Sequence, residues 1–347
     1  MTLETEFERY ELPLAETFRI SRETTQIAET VVVRVSDGEN EGIGAAAPSR
    51  YYGETAETVV EILPDLLAVV EDVDDPHAAQ RVERRLENTV KGNTAAKSAA
   101  TTALADLAGT RLGVPLYRQW GLDPDAVPVT SYSMGVEVPE TMAERARDRV
   151  DSGFKILKLK IGTDSEADRE RVAAVREAVP EATIRVDANG GYDVETAVEV
   201  SGWLADLGVE FLEQPVPGGN LEGLREVHER GAIPVAADES CVDAGDVPGV
   251  AGTCDIVVGK LAKCGSPWAL RRQLETATAH GLETMVGCMV ESNASLAAAV
   301  HCSPLADYAD LDGSLLLAED PFVGVPFVDG RPNLADLDRP GTGVREQ

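Results

Sequence analysis

From about residue 127 onward the chain repeats one alternation: a short apolar run, then a stretch with apolar positions three and four apart. The runs are VPVTSYS (127–133), KILKLKI (155–161), TIRVDA (183–188), VEFLEQ (209–214), IPVAAD (233–238), CDIVVGK (254–260), LETMVG (282–287) and YADLD (308–312). Runs of this length and spacing read as buried strands, and the segments between them, such as 165–179, read as amphipathic helices. A helical segment is expected after each of the first seven strands. Strand ends recur at intervals of roughly 22 to 28 residues, the length of one strand–helix unit. Eight such units predict an α/β fold of the (β/α)8, TIM-like barrel type.

The pattern before residue 127 is different. Apolar runs at 30–35 and 42–47 flank the turn segment SDGENEG, as in an antiparallel meander, and helical periodicity follows at 54–72, 75–90 and 94–112. We therefore expect an α+β capping domain over 1–122, completed by residues 320–347, and a barrel over 123–319. No GxGxxG or GxxxxGK stretch follows any strand, which argues against dinucleotide-binding and P-loop folds.

Charge becomes informative at the strand ends. The second barrel strand ends in Lys158 and Lys160, the third in Asp187, the fourth in Glu213, the fifth in Asp238, the sixth in Lys260, and the eighth in Asp310 and Asp312. In a barrel these ends meet at one mouth, where such folds hold their chemistry. Three carboxylates from adjacent strands repel one another unless a cation neutralises them. An oxygen-only set without His or Cys favours Mg2+. Salt bridges to the nearby lysines are the alternative, and the two are compatible in part.

Side chains alternate along a strand, so Lys158 and Lys160 share the inner face and Leu159 faces outward. Lys260 lies beyond the three acidic strands, so a metal would sit between ammonium groups. Crowding by other cations and partial burial are expected to lower a lysine pKa and make it a base. Two opposed bases can remove a proton from one face of a carbon and return one to the other, with a metal stabilising the enediolate formed between.

Composition narrows the partners. The chain has 61 acidic and 31 basic residues, a formal charge of −30, and only seven lysines, five of them at 155, 158, 160, 260 and 263. Such a surface repels nucleic acid and anionic membranes, and its composition is of the halophilic kind. The five cysteines form no CxxC pair and read as buried thiols. The N-terminal stretch has no signal-peptide pattern and no run reaches membrane-span length. A soluble, cytoplasmic homo-oligomer is expected, with a small molecule as its partner and neither nucleic acid nor membrane.

KLK (158–160), VDANGGY (186–192), EQP (213–215), ADES (237–240) and KLAKCG (260–265) together resemble the enolase superfamily, in its muconate-lactonising-enzyme subgroup. The segment 92–117 is similar to part of that family's capping domain, and the resemblance runs over nearly the whole chain. It implies that Asp187, Glu213 and Asp238 bind Mg2+ and that Lys160 and Lys260 are the acid/base pair. Lys158 would help hold the substrate carboxylate and depress the pKa of Lys160.

Asp310-Leu311-Asp312 is similar to the DxD by which dipeptide epimerases hold a substrate α-ammonium, and VGCMVES (286–292), containing Met289, resembles the loop before it. The activity so implied is Mg2+-dependent epimerisation at the α-carbon of a dipeptide's C-terminal residue. An N-acylamino acid racemase, an o-succinylbenzoate synthase or a cycloisomerase of the same subgroup is the alternative. Where relatives acting on Ala-Glu carry an arginine in the capping loop, this chain has Glu23 beside Arg22. A Schiff-base aldolase on a similar barrel, or a barrel kept as a binding protein, would use the same lysines differently or not at all.

Overall fold

The computed structural model describes residues 2–347. The N-terminal meander is three antiparallel strands, β1 (Glu4–Arg19), β2 (Thr24–Ser36) and β3 (Glu41–Ala46). β1 is one long strand, and its register with β2 shifts between Pro13 and Phe18. The alternation of charged and apolar residues along β1 keeps one face of this ribbon in water, so it reads weakly as a strand in sequence.

Three helices follow, α1 (Ala56–Val73), α2 (Ala79–Thr89) and α3 (Thr94–Leu112). α3 is buried on every side, and its alanines and threonines let neighbours close in. A Cβ on Gly42 would meet Ala103 O at 2.2 Å, and one on Gly44 would meet Ala99 O at 2.4 Å. The glycines of GIGAAA are thus required by the approach of β3 to α3.

The barrel strands are β4 (Tyr132–Met134), β5 (Ile156–Lys160), β6 (Thr183–Asp187), β7 (Leu212–Glu213), β8 (Val235–Ala237), β9 (Ile256–Gly259), β10 (Glu283–Gly287) and β11 (Tyr308–Asp310). They pair in sequence order and in parallel. A parallel bridge between Thr130 and Ala309 joins the first strand region to the last. The expected eight-stranded α/β barrel is the observed architecture. Leu157 and Leu159 belong to the apolar cluster shared with Met142, Val172 and Val175 of the surrounding helices.

Two expectations are corrected. After β8 there is only a single helical turn, Val247–Val250, because Gly245, Pro248, Gly249 and Gly252 break the periodicity. The eighth strand ends at Asp310, and Asp312 lies beyond it in a loop that starts a 3-10 turn.

The C-terminal segment returns to the N-terminal sheet, where Phe322 packs with Val32, Ile43 and Ala45. Its seam is held by two buried titratable groups. Asp106 accepts from the backbone N–H of Ile43 and Thr342. His301 accepts from Tyr117 N at Nδ1 and has Nε2 3.0 Å from Thr342 O. An Nδ1 that accepts and an Nε2 that donates define a neutral imidazole, and burial pushes the His301 pKa down to about 4 from 6.5.

The unfolded chain then binds more protons than the native one between pH 6.5 and 4. Stability from this site is present above pH 6.5 and is lost as pH falls toward 4. We expect His301 to account for about 2 kcal/mol of destabilisation between pH 7 and pH 5. His301→Asn should remove that part of the pH dependence in urea unfolding at the two pH values, whatever it costs at pH 7.

Candidate active site

Strand register builds the site. Lys160 stands opposite Asp187, Asp187 opposite Glu213, and Glu213 opposite Ala236, two residues before Asp238. Lys260 immediately follows β9. Four strand positions separate β5 from β9 among eight, so Lys160 and Lys260 reach the mouth from opposite sides. Both line a cavity of about 90 Å3, together with Asp238, Glu239, Asp310, Asp312, Met289, Arg22 and Glu23.

The loops behind the strands are tightly held. A Cβ on Gly162, which has φ +91°, would meet Ala188 O at 2.2 Å. This packs the turn after the lysine strand against the turn after Asp187. Asp187 accepts from Asn189 N at 2.8 Å and Asn189 Nδ2 at 3.0 Å. Gln214 takes φ +37°, a costly conformation for a residue with a side chain. Its buried amide repays this by bonding Val216 O and Ser240 Oγ and accepting from Asp238 N and Ser240 N.

The lysines and carboxylates are paired. Lys160 Nζ is 2.6 Å from Asp187 Oδ2, and Lys260 Nζ is 2.7 Å from Asp238 Oδ2. Lys158 Nζ lies 2.8 Å from Glu213 Oε2 and 2.6 Å from Asp310 Oδ2. Lys158 is fully buried, so its ammonium joins the carboxylate cluster to Asp310 beneath the cavity.

The expected lowering of lysine pKa is not observed for Lys158 or Lys260. Burial does favour the neutral amine, but Asp310 and Glu213 outweigh it at Lys158, and Asp238 outweighs it at Lys260, so both are raised. Asp238 is held far below the carboxylate range, because Lys260 and Lys263 overcome its burial. Glu213 is pushed up to about 8 by burial and by the neighbouring Asp187 charge.

Glu213 also carries the signature of a missing partner. Both its oxygens are buried without a hydrogen bond, since Lys158 approaches Oε2 closely but off the line a hydrogen bond needs. No ready-made cluster of three metal-ligating side chains occurs among the described residues, because the lysines are drawn onto Asp187 and Asp238. Orphaned Glu213 oxygens between two lysine-held aspartates nevertheless fit a hard, oxygen-seeking divalent cation.

On the opposite wall, Asp310 Oδ1 accepts from Ser131 Oγ at 2.6 Å, and Asp312 Oδ2 accepts from Ser133 N at 2.5 Å. Burial raises the Asp312 pKa to about 7, helped by Asp310, whereas Lys158 and Lys160 overcome burial and keep Asp310 ionised. The capping-domain turn closes the top. Arg22 Nη1 donates to Asn189 O at 2.9 Å, lies 2.7 Å from Glu239 Oε1 and stacks over the Tyr51 ring. Glu23 faces the cavity and is exposed.

Some members of the site went unassigned in the sequence. Lys263 is one, although its place three residues after Lys260 and the scarcity of lysine were signals. Glu239 follows Asp238 directly. Ser133, in the first barrel strand, and Ser131, just before it, show the same i, i+2 spacing as the lysines. Cys241, Cys254, Cys288 and Cys302 are buried, Cys264 is half-buried, and all five are free thiols. Among the described residues no helix is long and apolar enough to cross a membrane.

Residues 141–346 match the family model described as enolase C-terminal domain-like, and residues 4–121 match that of the mandelate racemase / muconate lactonizing enzyme N-terminal domain. The chain is 36% identical to the L-Ala-D/L-Glu epimerase of Bacteroides thetaiotaomicron, over 96% of this chain and 86% of that protein. Its fold superposes on a dipeptide epimerase from Enterococcus faecalis complexed with Mg and L-Leu-L-Tyr, with TM-score 0.93, 31% identity and full coverage of both chains. An N-succinyl Arg/Lys racemase from Bacillus cereus is as similar in fold, with TM-score 0.94 at 25% identity, over 100% of this chain and 96% of that one.

Proposed function

Since the chain belongs to the mandelate racemase / muconate lactonizing enzyme family of enolase-like proteins, we propose that it is a magnesium-dependent dipeptide epimerase. It inverts the α-carbon of the C-terminal residue by proton transfer between two lysines. The observation that carries this reading is the pair Asp310 and Asp312 on the same cavity as Lys160 and Lys260.

Asp187, Glu213 and Asp238 would hold the metal, which supplies positive charge beside the substrate carboxylate and so makes the neighbouring C–H bond more acidic. The remaining work falls to the chain's own residues. Asp310 and Asp312 take the α-ammonium of the N-terminal residue and set the register of the dipeptide across the mouth. Lys160 and Lys260 then stand on opposite faces of the α-carbon. Asp238 keeps Lys260 as an ammonium, ready to donate, while Lys160 takes the proton from the other face. The two exchange roles in the reverse direction. Lys158 neutralises Glu213 and Asp310 from below.

Side-chain preference follows from the turn above the cavity. Arg22 is already committed to Glu239, Asn189 O and the Tyr51 ring, so it is a poor partner for an acidic substrate side chain. Glu23 offers a carboxylate instead. We read the enzyme as favouring a cationic or polar second residue.

The test is α-proton exchange in D2O across a dipeptide library, each member paired with its N-acetyl form. Free dipeptides should exchange and epimerise, and acetylated ones should fail for want of the ammonium. Asp312→Asn should raise KM for free dipeptides by about 10–100-fold, the worth of a charged hydrogen bond. Equal turnover of acetylated substrates would favour the second reading, an N-acylamino acid racemase; the N-succinyl Arg/Lys racemase is as similar in fold as the dipeptide epimerase.

A further inference from the structure

Lys263 is among the largest fully buried side chains in the protein, and it takes no part in the proton transfer. It lies in the one-turn helix Leu261–Cys264, which directly follows Lys260. Its ammonium meets four oxygens: Asp238 O at 2.6 Å, Asp238 Oδ1 at 2.7 Å, Val258 O at 2.7 Å and Cys241 O at 2.9 Å. An ammonium has three protons, so at least one is shared and no donor remains for anything else. It has no access to solvent, so it does not touch a substrate.

The contacts converge on one residue. Asp238 N donates to Gln214 Oε1, and Asp238 O and Oδ1 are both held by Lys263, which leaves Oδ2 as the oxygen that faces Lys260. The Val258 contact ties the same ammonium to β9, the strand that Lys260 immediately follows. One buried cation therefore fixes a carboxylate and the backbone beneath an acid/base lysine in a single geometry. Such supporting groups set the orientation of ligating carboxylates.

We propose that Lys263 is the positioning residue that locks Asp238 with a single oxygen free for the metal and for Lys260. This rests on the functional reading above. Lys263→Met keeps the length of the side chain and removes the four hydrogen bonds. It should weaken Mg2+ binding, measured by titration calorimetry without substrate, by about 10–100-fold.

It should also slow α-proton exchange unequally. The epimer whose proton is taken by Lys260, identified as the one that stops exchanging in Lys260→Ala, should lose at least tenfold more than its counterpart. A general loosening of the barrel would slow both alike. Weaker Mg2+ binding together with that asymmetry bears the proposal out, whereas unchanged Mg2+ affinity or equal losses overturn it.

If Lys263→Met does not fold, the double variant Lys263→Met, Asp238→Asn should, because the oxygen that Lys263 held is then no longer a buried, charged one without a donor. Failure of the double variant as well would overturn the proposal by assigning Lys263 to the carbonyls of Val258 and Cys241. A parent enzyme that bound Mg2+ but exchanged no dipeptide would defeat the functional reading, and the Mg2+ titration of Lys263→Met would still decide the positioning role.

Discussion

Lys160→Ala and Lys260→Ala should each lower dipeptide epimerisation by about 10²–10⁴-fold, the usual contribution of a positioned acid or base. The two lysines stand four strands apart around an eight-stranded barrel and face one cavity, so neither can replace the other. Each variant should still exchange the α-proton of one epimer in D2O, the two variants sparing opposite epimers, while net inversion is lost in both. Epimerisation surviving in either variant would show that one lysine serves both faces and would end the two-base mechanism. Circular dichroism should show both variants folded, since Lys160 and Lys260 lie at the mouth and not in the apolar layer around the barrel.

Glu213→Gln should be nearly as damaging to activity and benign for the fold. Glu213 is fully buried, both its oxygens lack a hydrogen bond, and its pKa is pushed up to about 8 by burial and by the charge of Asp187. For a carboxyl group raised in this way the native state holds its proton more tightly than the unfolded chain. The site is thus most favourable to folding below about pH 4.5 and becomes a burden as pH rises toward 8.

An isosteric amide removes that burden, and Lys158 keeps Asp310 at 2.6 Å. In metal-free buffer at pH 8, Glu213→Gln should melt no lower than the parent. The rise in Tm that Mg2+ gives the parent by binding its native state should shrink or vanish, with Mg2+ affinity down by at least the 10–100-fold typical of metal-site changes. EDTA should silence the parent and added Mg2+ restore it. A variant that bound Mg2+ as tightly as the parent would remove Glu213 from the metal site.

Much of this was legible in the chain because a barrel repeats one local rule eight times. Strand and helix periods differ, the repeat length is regular, and a charged residue ending an apolar run is easily seen. Where the rule lapsed, the reading failed. Residues 241–254 carry glycines and a proline, and only a single helical turn forms there. β1 alternates too many charges to look like one sixteen-residue strand.

The sequence by itself determined that Lys158 and Lys160 share a face, that Asp187, Glu213 and Asp238 end successive strands, and that the charges gather at one mouth. These follow from alternation along a strand and from parallel pairing, which are local. Only the tertiary structure decided which cation meets which carboxylate. Lys158 lies beneath the cavity between Glu213 and Asp310, Arg22 is bound to Glu239, and Lys263 grips Asp238. Those pairings join residues up to 217 positions apart in the chain, and their strengths depend on burial and on distances of a few ångströms. Alternation says which way a side chain points; what it meets there depends on the curvature of the closed sheet and on the loops folded over it.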